Sequence, residues 1–336
     1  MFEWGRAICY SGYRQGQNPK NATYPTYEQI KEDLTLLNEL GFKYLRMYDP
    51  ISYAEETCKV IRDCGFNMQL MLGPGLISEV NNPGCPWNQT SYSDEELKER
   101  AKRNDRNIDE LIRIANENSD VINAVSVGNE NTPDWGENNV PVERLISFAK
   151  KLRKETGKQV TFNEGVYEWE HLKELADELD IISIHSYPLW NGNTVEEALE
   201  VNKTWYKKVK EWYPGKPIVF SEVGWATDCA DFKQMREGQA NEENQKKYYE
   251  EFWEWSDREQ IISYMFEAFD EPWKGGNRPN EAEKHWGIFN EDRTPKLVLK
   301  KWKNRIEIFL WRKVTKATKA KKAARVRVSF KKVKVK

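Results

Sequence analysis

Short apolar runs alternate with longer charged segments along most of the chain. The apolar runs are rich in β-branched and aromatic residues, which favour strands, and they lie at 6–10, 44–48, 68–73, 121–128, 159–163, 181–185, 217–221 and 263–269. Between them, apolar residues recur every three or four positions, as on one face of a helix. These helical patterns lie at 27–40, 94–118, 142–155, 169–179, 195–212, 242–255 and 296–310. The alternation predicts parallel βαβ units.

Two of the strand candidates, 181–184 and 218–220, are apolar at every position or nearly so. Such unbroken apolar sequences are typical of strands whose sheet is covered by helices on both faces. Eight strand–helix units in roughly 300 residues are typical of a (β/α)8 barrel. A doubly wound open sheet is the alternative, but no G-x-G-x-x-G motif follows the first strand candidate. We therefore predict a single (β/α)8 TIM barrel over residues 1–311.

Polar and aromatic residues follow six of the predicted strands. Active sites of such barrels are built at the carboxyl ends of the strands, so we expect these residues to converge there. They are Tyr10, Arg14, Arg46, Tyr48, Asn129, Glu130, His185, Tyr187, Glu222, Trp225, Glu267, Asp270, Glu271, Trp273 and Lys274.

Two of these residues, Glu130 after strand four and Glu222 after strand seven, suit the cleavage of a glycosidic bond. That reaction needs a proton for the leaving oxygen and a negative group facing the oxocarbenium-like carbon, and two carboxyls about 5–5.5 Å apart give the retaining route. We predict Glu130 as general acid/base and Glu222 as nucleophile. The structural alternatives are a residue beside a helix cap for Glu130 and an ion-pair partner of Arg46 for Glu222.

Six motifs in the same order resemble those of glycoside hydrolase family 17, the β-1,3-glucanases and related glucanosyltransferases. They are ICY at 8–10, LRMYDP at 45–50, VGNE at 127–130, SEVGW at 221–225, FEAFDEPWK at 266–274 and EKHWGIF at 283–289. The resemblance implies a barrel with catalytic glutamates on strands four and seven. It also implies that Glu271, Lys274 and Glu283 lie near the cleft, where they either support the catalytic pair or form a buried ion-pair network. Trp225, Trp273 and Trp286 are candidates for stacking on sugar rings, with core packing as the alternative.

Three functions remain open at this point. The first is hydrolysis of β-1,3-glucosidic linkages in laminarin-like β-glucans through a covalent glycosyl-enzyme. The second is a glucanosyltransferase that passes the same intermediate to a sugar hydroxyl. The third is a carbohydrate-binding barrel without catalysis. No cofactor is expected, and no metal, because the three histidines and five cysteines lack ligand spacing.

Charge divides the chain into two parts. Residues 311–336 hold 12 Lys and Arg and no acid, which leaves 40 basic and 54 acidic residues in the rest. The acidic body argues against nucleic acid binding on the catalytic domain. The tail, 312–336, is expected to be disordered and is a candidate tether to anionic surfaces. No transmembrane segment or signal peptide is predicted, so we expect the protein to be either cytoplasmic or the mature form of a secreted protein. We also expect a monomer.

Overall fold

The computed structural model describes residues 3–229 and 235–302. The chain divides into two units, Met1–Val298 and Leu299–Lys336. The first contains the whole of the barrel described below. The predicted basic tail, 312–336, and the predicted boundary at residue 311 lie outside the described residues.

Eight parallel strands form a closed barrel in which each strand pairs with the next and the last pairs with the first. The strands are β1 Arg6–Cys9, β2 Phe42–Met47, β3 Gln69–Leu72, β4 Ile122–Asn129, β5 Gln159–Gly165, β6 Ile181–Ser186, β7 Ile218–Val223 and β8 Ser263–Met265. This closure confirms the predicted (β/α)8 barrel and excludes the open sheet. The strands β6 and β7 are buried at all six of their positions, as their unbroken apolar sequence predicts.

Seven α-helices lie between the strands of the described part of the chain. They are α1 Tyr27–Glu39, α2 Ala54–Cys64, α3 Asp94–Glu117, α4 Val142–Thr156, α5 Lys173–Asp177, α6 Val195–Trp212 and α7 Glu242–Glu259. The pattern analysis missed α2, which is short and has no side-chain cap at its start. The predicted helix 169–179 is only a 3-10 turn, Glu168–Glu170, followed by the five residues of α5. The described part of the predicted helix 296–310 is a 3-10 helix, Leu297–Trp302.

The last strand is shorter than predicted because its backbone changes partners after Met265. The Phe266 amide donates to Val223 on β7, but the Ala268 amide donates to Cys9 on β1. Between them, the Glu267 amide donates to the carbonyl of Trp286 in a later loop. The chain therefore leaves the regular ladder where it enters the carboxyl rim, and it carries Glu267 to Lys274 across that rim.

A buried ion-pair network joins the first strand, α1 and the loop that contains Arg293. The Arg293 guanidinium contacts both oxygens of Asp33, at 2.8 and 2.9 Å, and Asp33 is fully buried. The Tyr10 hydroxyl also bonds Asp33, at 3.3 Å, and an Arg14 nitrogen lies 3.0 Å from it. The predicted site residues Tyr10 and Arg14 thus bind Asp33, and neither contributes its polar group to the pair of carboxylates predicted to be catalytic.

None of the helices in residues 3–229 and 235–302 combines the length and the apolar content that a membrane span requires.

Candidate active site

Glu222, near the end of β7, is a buried carboxylate surrounded by donors. Its Oε1 accepts hydrogen bonds from Arg46 Nη1 at 2.6 Å and from the Tyr48 hydroxyl at 2.9 Å. Its Oε2 accepts from the Tyr187 hydroxyl at 2.5 Å. The donors come from β2, from the residue just after it, and from the residue after β6, so the barrel itself assembles the arrangement.

These contacts hold Glu222 in its ionised form. Burial by itself would raise the pKa of Glu222, but His185, Arg46 and the hydroxyls of Tyr187 and Tyr48 outweigh burial and lower that pKa to about 2. Arg46 is almost fully buried, and its pKa is raised because the charges around it outweigh its own burial. Glu222 is therefore both the ion-pair partner of Arg46 and an ionised group on the rim of the barrel.

Glu130 follows β4 in an unusual backbone conformation. Its φ is +48°, in the left-handed region that side chains with a Cβ seldom adopt, and such strain is often found at functional sites. Its amide donates to the carbonyl of Asn163 on β5 at 3.0 Å. The Asn131 side chain folds back to accept from the Asn129 amide at 2.8 Å, and a Cβ on Gly128 would lie only 2.2 Å from its oxygen. The glycine of the VGNE motif is therefore required by this close approach.

His185 on β6 connects the two carboxylates. Its Nδ1 lies 2.8 Å from Glu130 Oε1 and 3.6 Å from Glu222 Oε2. Its Nε2 lies 3.3 Å from Arg46 Nη1, and a guanidinium can only donate. Nδ1 is thus within hydrogen-bond distance of Glu130, and the ring links Glu130 to Arg46 and Glu222. Asn129, the residue before Glu130, bonds the other end of the Arg46 guanidinium through its side-chain oxygen.

Glu130, His185 and Glu222 also form a group of possible metal ligands. One donor atom from each lies within 4.8 Å of the others. A cation bound there would share Glu222 with the Arg46 guanidinium, whose positive charge is only 2.6 Å from Glu222 Oε1. The ion pair already supplies the charge that a metal would, so the arrangement fits a pair of opposed carboxyls better than it fits a metal centre.

A second group of acids lies on the segment after β8. Lys274 Nζ is 3.0 Å from Glu267 and also contacts Glu271, and both glutamates are buried. Burial and the charge of Glu271 raise the pKa of Glu267 well above its usual range, whereas Lys274 and Ser11 outweigh burial at Glu271 and lower its pKa. One lysine between two carboxyls thus favours a protonated Glu267 beside an ionised Glu271.

Glu283 is electrostatically coupled to both groups of acids. Its pKa is raised, first by burial and then, against the attraction of Lys274, by the negative charges of Glu130, Glu222 and Glu271. The three residues implied by the family resemblance, Glu271, Lys274 and Glu283, are therefore close to one another, and their electrostatic coupling extends to the Glu130–Glu222 pair.

Of the three tryptophans expected to stack on sugars, Trp273 alone is partly exposed. Its indole packs edge-on against Tyr13, and its nitrogen donates to Glu271 at 3.0 Å. Trp225 and Trp286 are fully buried. The stacking expectation is corrected for these two because their faces pack against protein, and Trp286 supports the Tyr187 ring edge-on at 5.1 Å.

Sequence reasoning missed Glu164 at the end of β5. This carboxyl is fully buried and accepts hydrogen bonds from the amide and hydroxyl of Thr132, at 3.2 and 2.8 Å, and from the Gly165 amide at 2.8 Å. Burial and the nearby Glu130 raise its pKa well above the usual range. The available signal was an acid directly after the predicted strand 159–163.

The chain is thus a closed parallel barrel with a carboxylate-lined site at its carboxyl rim, where Glu130 follows β4 and Glu222 lies on β7. Residues 7–287 match the family model described as the BtgE/BtgC glycoside hydrolase domain, and the chain belongs to this family. The expected resemblance to glycoside hydrolase family 17 is confirmed.

Two curated relatives align with parts of the chain. A glucan 1,3-beta-glucosidase of Arthroderma benhamiae is 28% identical over an alignment of 213 residues, and the match covers 56% of this chain and 65% of the relative. The protein btgC of Aspergillus clavatus is 27% identical over an alignment of 218 residues, and the match covers 58% of this chain and 31% of the relative. The alignments thus span less than two thirds of either relative.

Solved structures share the fold at lower identity. An endo-laminarinase from Formosa Hel1_33_131 is 24% identical, with a TM-score of 0.74 over 90% of this chain and 87% of the other. A glycoside hydrolase family 17 β-1,3-glucanosyltransferase from Rhizomucor miehei is 22% identical, with a TM-score of 0.67 over 88% and 96% of the two chains.

Proposed function

We propose that this protein cleaves β-1,3-glucosidic linkages with retention, with Glu222 as nucleophile and Glu130 as general acid/base. One observation carries the proposal: two neighbouring carboxyls, one just after β4 and one on β7, have different surroundings. Glu222 is held ionised by three donors. Among residues 3–229 and 235–302, the Glu130 carboxyl has one close polar partner, the His185 ring. Its side chain is 28% exposed, so it can reach a leaving group and exchange protons with solvent.

The separation of the two carboxyls supports the retaining route. A carboxyl oxygen of Glu130 lies within 4.8 Å of a carboxyl oxygen of Glu222. Inverting enzymes need about 6.5–9.5 Å between their carboxyl groups, because a water must fit between base and sugar. At the shorter distance, Glu222 itself can reach the anomeric carbon.

The first step forms a glycosyl-enzyme. The Glu222 carboxylate attacks the anomeric carbon while the bond from that carbon to the departing oxygen breaks, and Glu130 gives its proton to that oxygen. The charge of Glu222 is consumed in the ester. Glu130 is left as a carboxylate beside it.

The second step reverses these roles. Glu130 takes a proton from a water whose oxygen attacks the anomeric carbon, and the bond from that carbon to Glu222 breaks. The Glu222 carboxylate is then restored to its three donors. Glu130 is protonated again, so the cycle closes without a cofactor.

The choice of β-1,3-glucan rests on the relatives. The Arthroderma protein is named for a 1,3-beta-glucosidase, and the Formosa barrel for a laminarinase. The Rhizomucor barrel, named a β-1,3-glucanosyltransferase, supports the second candidate, in which a sugar hydroxyl replaces water in the second step. Products longer than the substrate, from laminarin oligosaccharides, would distinguish transfer from hydrolysis.

A panel of β-1,3-, β-1,4-, β-1,6- and mixed-linkage glucans tests the substrate, and Glu222→Ala tests the mechanism. We expect activity on β-1,3 linkages, and we expect it to be lost in Glu222→Ala. Azide should partly restore cleavage in that variant and give a product of inverted anomeric configuration. Glu110→Ala, a change in an ion pair on α3, is the control. Full activity in Glu222→Ala would refute the assignment, and no release of reducing sugar by the parent protein would favour a carbohydrate-binding barrel.

We also propose that the basic residues 312–336 contact anionic surfaces, on the strength of their charge alone. Deleting them should leave kcat on a short oligosaccharide within about twofold and should weaken binding to anionic vesicles most at low salt, where screening is least. A truncated protein that does not fold would overturn the proposed domain boundary.

A further inference from the structure

Two exposed tryptophans lie side by side on the rim that carries the candidate site. Trp87 belongs to the loop between β3 and α3, and Trp135 belongs to the loop between β4 and α4. Their exposed fractions are 63% and 42%, among the highest of the large hydrophobic residues in the described chain. Both loops leave the carboxyl ends of their strands, so the pair and Glu130 share one face of the barrel.

The two indoles touch but are not coplanar. Their ring centroids are 5.9 Å apart and their planes are tilted by 52°. An aromatic pair of this kind has a stable geometry of its own. Because each ring covers only part of the other, the outer faces remain open to solvent, where uncovered apolar surface is unfavourable unless something binds it.

Hydrogen bonds between the two loops hold the pair in place. The Asn82 side chain donates to the carbonyls of Asp134 and Gly136, at 2.7 and 2.8 Å, on either side of Trp135. Next to Trp87, the Asn88 side chain donates to Glu137 at 2.9 Å. The pair is therefore preorganised, which reduces the entropy lost when a ligand binds.

Trp135 is also close to the proton donor along the chain. It follows Glu130 by five residues, and a fully extended stretch of that length spans at most about 18 Å. Thr132, between the two, is anchored to the buried Glu164. Trp135 thus lies on the same rim as Glu130 and within about 18 Å of it, and Glu130 is the residue that would protonate the departing sugar.

We propose that Trp87 and Trp135 form a stacking subsite for the sugar units on the departing side of the scissile bond. This inference rests on the proposed function. The C–H faces of a pyranose ring are apolar and stack on aromatic rings. Two faces tilted by 52° match successive sugars that turn relative to each other, as in a β-1,3-glucan, better than they match the flat ribbon of a β-1,4-glucan.

The test compares two substrates in Trp87→Ala, Trp135→Ala and the double variant. Laminarihexaose has sugars on both sides of the cleaved bond, whereas 2,4-dinitrophenyl β-laminaribioside has no sugar on the departing side. We expect the double variant to lose about tenfold in kcat/KM on laminarihexaose, which corresponds to about 1.4 kcal/mol. Its kcat/KM on the aryl glycoside should be unchanged. Phe at both positions should restore part of the loss because the flat face is kept.

Trp4→Ala is the matched control, since Trp4 is 38% exposed and precedes β1 at the opposite end of the barrel. It should have the kinetics of the parent protein on both substrates. Equal losses on the two substrates in the double variant, or no loss on either, would overturn the subsite. So would a dimer in the parent protein that becomes a monomer in the double variant, because the pair would then be a contact between copies.

A failure of the proposed function gives a different result. If the parent protein cleaves no β-1,3-glucan, kinetics cannot test the Trp87–Trp135 pair. Calorimetric titration of Glu222→Ala with laminarihexaose then measures binding to the pair instead. Affinity that falls about tenfold when both tryptophans are removed supports the subsite even then. Affinity that stays the same, or no binding at all, overturns it.

Discussion

The hydroxyl of Tyr187 offers a direct way to perturb the nucleophile proposed above. It donates to Glu222 Oε2 at 2.5 Å, while Arg46 and Tyr48 occupy the other oxygen. Tyr187→Phe removes one donor and keeps the ring, which packs edge-on against Phe266 at 5.7 Å and Trp286 at 5.1 Å. The substitution therefore changes the electrostatics of Glu222 and leaves the packing in place.

The expected shift follows from the strength of the lost bond. A hydrogen bond to a charged group contributes about 1.5–3 kcal/mol, and one pKa unit corresponds to about 1.36 kcal/mol. Removing the Tyr187 hydroxyl should thus raise the pKa of Glu222 from about 2 by roughly one to two units. Arg46 and His185 remain, so the pKa should stay below the ordinary value of a glutamate.

The pH dependence of kcat/KM measures this shift. A nucleophile works only when ionised, so activity is lost as the pH falls through the pKa of Glu222. In Tyr187→Phe the acid limb of the profile should move to higher pH by one to two units, and the alkaline limb should stay where it is. Intrinsic fluorescence at each pH separates this effect from acid unfolding.

Tyr27→Phe is the matched control, because the Tyr27 hydroxyl donates to Asp63 at 2.9 Å on the surface. It should leave the profile unchanged. An acid limb that does not move in Tyr187→Phe, in a protein that is folded and active, would refute the account of how Glu222 is kept ionised.

Three further variants test other parts of the structure. Glu164 accepts from Thr132, two residues after Glu130, and so can position the Glu130 segment. Glu164→Gln should reduce kcat on glucans about tenfold but spare dinitrophenyl glycosides, whose leaving groups need no proton from Glu130; equal losses would contradict this positioning role. Asp33→Ala leaves Arg293 buried without its partner and should lower the free energy of unfolding by about 3–5 kcal/mol in urea, and a loss below 1 kcal/mol would count against it. Gly128→Ala, whose methyl would lie 2.2 Å from an amide oxygen, should cost about 1–3 kcal/mol and reduce activity; parent-like melting and kinetics would contradict this.

The alternation of apolar and charged segments was enough to predict the barrel. Periodicity is a local property, and eight repeats of strand and helix have few compact arrangements. The pattern was less informative at the edges of elements. It missed α2, and it extended β8 to residue 269, although the backbone after Met265 bonds partners on β7, on β1 and in a later loop. Such partners are far away in the sequence, and no local pattern contains them.

The sequence also indicated which glutamates to consider, because each follows an apolar run that the topology brings to one rim. It could not indicate their ionisation. The lowered pKa of Glu222 depends on donors from β2 and β6, and the raised pKa of Glu164 depends on burial beside Glu130. These are properties of distances between strands, which are fixed only when the barrel closes.

The tryptophans show most clearly how the information in the sequence differs from the information in the folded structure. From sequence, Trp225 and Trp286 looked like sugar-binding residues because they follow strands at the carboxyl end. Folding buries both of them, whereas Trp87 and Trp135, in two loops that sequence reasoning passed over, are exposed and in contact. The sequence by itself determined the order of elements and the rim on which the chemistry lies. Only the tertiary structure decided which side chains face solvent, because burial depends on what packs against a residue from elsewhere in the chain.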